Sequence, residues 1–182
     1  PFPQINPYVM RGPNESAIYS TQTIEIESTH EFLRNHNPGR PREERLSLFH
    51  VLLTALVRTL ALRPQMNRFV SGQRIYQRNR LQVSFIVKKT LTDDGDETNA
   101  KITFSPTDTL ETARRRIQFH VEDARNQDGN ESDNEIAFFT KLPRLLLRAI
   151  VAGFKTLDYF GIAPSEMLRL DPLYTSVYVA NL

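Results

Sequence analysis

Between Leu46 and Leu62 four of the five polar side chains fall on one line, Ser47, His50, Thr54 and Arg58, at spacings of three and four. That spacing is the period of an α-helix, and a helix apolar on nearly every other face has to be enclosed by other elements. Pro64 ends it, because proline has no N–H to continue the helical ladder. A chain carrying such a helix is obliged to build layers around it. The remaining segments are expected to supply a sheet and further helices.

Strict alternation marks the strands. Over 16–27, Ile18, Ser20, Gln22, Ile24 and Ile26 fall on one side and Ala17, Tyr19, Thr21, Thr23 and Glu25 on the other, which predicts a strand. Phe69-Val70 and Ile75-Tyr76, separated by Ser71-Gly72-Gln73, predict a small hairpin. A stronger strand is expected over 81–90, with Val83, Phe85 and Val87 on one face. Asp93-Asp94-Gly95-Asp96 turns the chain, and 100–105 returns as its antiparallel partner. The apolar, β-rich stretch 174–182 is the last strand.

Helix starts are marked by capping patterns. Ser28 with Glu31 has the spacing of a capping box, and the short helix it opens ends before Asn37-Pro38-Gly39. Asp108 with Glu111 repeats that spacing ahead of a stripe of Leu110, Ala113, Ile117, Val121 and Ala124. Glu111 stands four residues before Arg115, in position to pair with it. Pro143 leads an apolar helix over 145–160 that Gly161 ends. Residues 1–15, rich in proline, read as an extended arm. Neither a repeat nor a shift in composition divides 16–182, so these residues form one α/β domain, a mixed sheet with helices packed on it.

Composition narrows the chemistry. At 182 residues and 40% hydrophobic, the chain is large and apolar enough for a core of its own. No wholly apolar stretch reaches the roughly 20 residues of a membrane span. Without cysteine there is no disulfide, thiolate nucleophile or zinc site of the Cys type. A formal net charge of +2 is too small to point to nucleic acid. The expected location is cytoplasmic, with neither nucleic acid nor membrane as partner.

Local motifs add little. His30, His36, His50 and His120 are not at metal-ligand spacings. The acidic runs 93–97 and 128–135 lack the glycine and ligand spacing of a calcium loop and read as solvated turns. Arg114-Arg115-Arg116 is the densest basic run, and its alternation with an apolar stripe makes it a solvated helix face. No phosphate-binding glycine loop or nucleophile elbow occurs.

The order of segments says more. The stretch 19–33, YSTQTIEIESTHEFL, resembles the first long strand and following helix of the coenzyme A-dependent acyltransferases. That family includes chloramphenicol acetyltransferase and the catalytic domain of the dihydrolipoamide acyltransferases of 2-oxoacid dehydrogenase complexes. The run 46–67, ending ALRPQMN, is similar to the family's buried helix and the turn after it. The strand over 81–89, the helix after Asp108, the proline-led helix from Pro143 and Tyr178-Val179-Ala180-Asn181-Leu182 follow in the family's order.

The resemblance implies a chloramphenicol acetyltransferase-like fold and a homotrimer with active sites between subunits. The implied reaction passes an acyl group between coenzyme A and a thiol or hydroxyl acceptor, with the coenzyme A thioester as substrate and no covalently bound cofactor. Tyr19 and Phe85 would line the substrate channel, and Asn181 would lie near the oxyanion position. The family's general base is a histidine in an H-x-x-x-D-G motif late in the chain. None of the 182 residues forms that motif. It is expected downstream of Leu182, with the domain incomplete at its C-terminus, so the sequence assigns no catalytic residue. The alternative is a non-catalytic structural or interaction subunit with the same fold, motivated by Ala180 and by the missing histidine.

Overall fold

A computed structural model of the chain describes residues 17–89, 97–126, 142–162 and 173–180. Four α-helices and five strands occur among them: α1 (Glu27–His36), α2 (Leu48–Leu62), β1 (Arg68–Ser71), β2 (Arg74–Gln77), β3 (Leu81–Lys88), β4 (Glu97–Phe104), α3 (Leu110–Asn126), α4 (Arg144–Tyr159) and β5 (Val177–Val179). The architecture is mixed α/β. One sheet runs β4-β3-β5, antiparallel between β3 and β4 and parallel between β3 and β5; β1 and β2 form a separate hairpin.

The core lies between that sheet and two helices. Val83, Phe85 and Val87 of β3 and Ala100, Ile102 and Phe104 of β4 share one face and are all buried. Leu53, Val57 and Leu60 of α2 and Ala113 and Ile117 of α3 pack on this face in one cluster. Phe49 meets Phe85 edge to face at 5.1 Å. Strand alternation and helical stripe fall where the sequence places them, because both periods are local properties of the backbone.

Helix α2 is less enclosed than its composition suggests. One stripe is buried, while Leu52, Leu56 and Leu62 remain 44%, 37% and 64% exposed. By length and composition alone the helical stretch Arg42–Leu62 would also serve as a membrane span. Its buried stripe instead faces a β-sheet, and it opens with the charged run Arg42, Glu43, Glu44 and Arg45.

The expected first strand is not formed. Residues 17–26 belong to no strand, and Ile18, Tyr19 and Ile24 are 94%, 95% and 69% exposed. Alternation prepares two faces, but a strand also needs a neighbour for its N–H and C=O groups, and no described strand lies beside this segment. Two helix starts also differ from expectation. Helix α1 begins at Glu27 with Ile26 at the N-cap and no side-chain cap, so Ser28 lies inside the first turn. Helix α3 is capped by Thr109 and Thr112: the Thr112 N–H donates to Thr109 Oγ1 at 3.3 Å and the Thr109 N–H to Thr112 Oγ1 at 2.8 Å. Asp108 instead accepts from the Ser105 N–H at 2.7 Å.

The hairpin forms as predicted. Gly72 and Gln73 take φ of 53° and 59°, the left-handed pair that a two-residue hairpin turn requires. The turn over 93–96 and the loop after Asn126 lie outside the described residues.

Candidate functional site

Among the described residues polar groups gather at three places, two of which tie elements together. The largest cluster centres on Glu111 in the first turn of α3. Its carboxylate accepts from Arg40 Nη1 at 3.0 Å and Arg114 Nε at 3.2 Å, with His36 Nε2 at 3.4 Å. Arg114 is 7% exposed; its guanidinium also donates to Gln118 Oε1 at 2.9 Å and to the Glu43 carbonyl. The hydrogen bond from Arg114 is the main force holding the Glu111 carboxyl below its ordinary pKa; partial desolvation opposes it, and His36 and Arg40 add to it.

The predicted partner Arg115 is exposed on the helix surface, and Arg114, one residue nearer, makes the pair. Arg116 turns to Asp108 at 3.0 Å. The basic run therefore divides between a buried clasp, an exposed side chain and a second ion pair.

The second cluster is the start of α2. Ser47 is the N-cap, and His50, three residues on, returns its ring to it. His50 Nδ1 accepts from the Ser47 N–H at 3.0 Å and lies 2.8 Å from Ser47 Oγ. A nitrogen accepting from a backbone N–H carries no proton, so this geometry selects a neutral imidazole. Burial, and then the Arg114 charge, lower the His50 pKa, while Glu111 opposes them. The pair is a capping box with histidine in the usual Glu or Gln position.

The third cluster joins the hairpin to the segment before β5. The Arg78 guanidinium lies 4.6 Å from the Phe69 ring centre and 4.0 Å from that of Tyr174, with Lys101 Nζ 6.0 Å from Tyr174. Phe69 and Tyr174 meet edge to face at 5.5 Å. On the sheet face turned away from α2 and α3, Tyr178 donates to Asn99 Oδ1 at 3.1 Å. Ser84 is fully buried between Lys101 and Tyr178 in register, and its hydroxyl has no partner among the described residues.

The candidate channel residues lie apart. Phe85 is 4% exposed inside the core, whereas Tyr19 is on the open surface; Asn181 lies outside the described residues. No group of three metal-ligating side chains occurs among the described residues. Local spacing points to Glu111 and the basic run after it in the first cluster, and to Ser47 and His50 on one helix line in the second. Arg40, Glu43 and Tyr174 reach their partners across long stretches of chain, which no local pattern signals. No protein-family model matches the chain, and no curated protein matches it at a significant level.

Proposed function

We propose that the chain is a domain of the coenzyme A-dependent acyltransferase type, acting as a homotrimer in the cytoplasm on an acyl-coenzyme A and a thiol or hydroxyl acceptor. One observation supports this reading. A capped core helix, strand β3, helix α3, a helix led by Pro143 and a last strand succeed one another in the order of the resembling segments.

In the proposed reaction the acceptor sulfur or oxygen attacks the thioester carbonyl carbon while its proton passes to a base. The tetrahedral oxyanion needs a hydrogen-bond donor, and its collapse expels the coenzyme A thiolate, which takes the proton back. The 182 residues contain no H-x-x-x-D-G run, so in this reading the base comes from residues outside them.

A second reading, a non-catalytic structural or interaction subunit of the same fold, is favoured by the state of the histidines. His50 is engaged in a helix cap and His36 with Glu111, and Ala180, without a hydroxyl, follows β5. Calorimetric titration with coenzyme A, beside a thioester-loss assay and native mass spectrometry, separates the two. Saturable binding by a trimer is expected. A protein that neither binds coenzyme A at millimolar concentration nor consumes its thioester overturns the first reading in favour of the second.

A further inference from the structure

Between Glu44 and Asp93 the chain carries nine lysine and arginine side chains and no carboxylate. The net charge of +2 averages this stretch against acids placed elsewhere in the sequence. Four of the cations, Arg68, Arg74, Arg78 and Arg80, stand on the hairpin β1–β2 or directly after it. Alternation along β2 sets Arg74 and Tyr76 on one face, about 7 Å apart. Tyr76 lies opposite Phe69 and stacks on it at 5.5 Å. Arg78, one residue past the strand, lies over the Phe69 ring and so extends the same row. Tyr76 is 44% exposed, and Arg74 and Arg80 are exposed. Arg74, Arg78 and Arg80 form no ion pair among the described residues.

The row is held at both ends of the hairpin. At the turn, Gly72 and Gly161 approach so closely that a Cβ on Gly72 would stand 3.0 Å from the Gly161 Cα, and the Gly72 N–H reaches the Asp158 carbonyl. At the open end, the Arg78 N–H donates to the Asn67 carbonyl and Asn67 Nδ2 to the Arg80 carbonyl, both at 2.9 Å. Gln77 Nε2 donates to the Pro64 carbonyl at 2.6 Å. The Arg78 guanidinium is fixed by the Phe69 and Tyr174 rings and not by a carboxylate. Its charge is positioned without being neutralised.

We propose that this hairpin face binds single-stranded nucleic acid, with Arg74, Arg78 and Arg80 on backbone phosphates and a base stacked on the exposed part of the Tyr76 ring. Charge selects a polyanion, because cations without a counter-ion release the ions condensed on a phosphate chain when they bind it. The aromatic ring within the cationic row selects a polyanion that carries flat rings of its own. An acidic protein surface or a lipid headgroup would engage the arginines but supplies no base for the ring. A base in a duplex is already stacked and paired, so the single strand is the form that fits. The inference departs from the expectation of no nucleic-acid partner and does not rest on the acyltransferase reading.

The test titrates the whole chain into a fluorescent single-stranded RNA of mixed sequence, read by anisotropy across a salt series, beside the same RNA as a duplex and beside heparin. Saturable micromolar binding of the single strand is expected at about 50 mM salt, and it weakens as salt is added. The double variant R74Q/R80Q is expected to flatten the slope of log affinity against log salt by about 1.4, with an unchanged far-UV spectrum. Because the chain has no tryptophan, Tyr76→Trp provides a single reporter. Its emission is expected to be quenched by the single strand and not by heparin. Absence of binding overturns the proposal, as does an undiminished slope in R74Q/R80Q. Duplex binding as tight as that of the single strand, or binding of RNA without quenching, overturns it in favour of a surface that takes any polyanion.

Discussion

Arg114 shows how little a local motif says about a side chain's work. The two residues after it are also arginines, yet of the three it alone is buried, held by Glu111, Gln118 and the Glu43 carbonyl. Replacing Glu111 with Gln removes the negative charge and leaves a buried guanidinium short of its counter-ion. A loss of about 1–2 kcal/mol is expected in urea denaturation near neutral pH, below the cost for a wholly buried pair because Glu111 is partly open to solvent. His50 makes the residue scale testable by pH. Burial lowers its pKa in the folded chain, so folding favours the neutral ring that accepts from Ser47. This stabilisation is complete above the unfolded value of about 6.5 and is lost as pH falls through the lower folded value. His50→Gln keeps a capping-box acceptor that does not titrate. It is expected to match the parent near about pH 7.5 and to flatten part of the fall in Tm toward about pH 5. The remaining slope belongs in part to His120, whose pKa burial also lowers.

At the scale of elements, patterns with an internal period translate directly into structure. The alternation of 81–88 places Val83, Phe85 and Val87 on the helix-covered face of the sheet, and the stripe of α3 buries Ala113, Ile117 and Ala124. Ile102, fully buried at the centre of β4, measures what this packing is worth. Ile102→Ala is expected to cost about 2–5 kcal/mol, read from the shift in urea midpoint at unchanged slope. Element boundaries were less legible. The capping box of α3 moved from Asp108 and Glu111 to Thr109 and Thr112 because several oxygen side chains stand near that start, and tertiary contacts engage Asp108 elsewhere. Residues 17–26 carry as clear an alternation as β3, yet they belong to no strand. A strand is a property of two segments, and the second is not written in the first.

At the scale of the whole molecule, one core joins α2, α3 and the three-stranded sheet, while α4 and residues 17–26 leave apolar side chains exposed. Coenzyme A titration reports on the acyl-transfer proposal. By itself the sequence determined the strong periodic elements, the hairpin turn at Gly72 and the face of each strand and helix that would be apolar. These follow from backbone geometry and side-chain spacing within a few residues. Only the tertiary structure decided that β5 lies parallel to β3, that Arg40 and Arg114 meet on Glu111, and that no side chain of α4 is fully buried. Such outcomes depend on which distant segments meet, and local spacing carries no information about partners far along the chain.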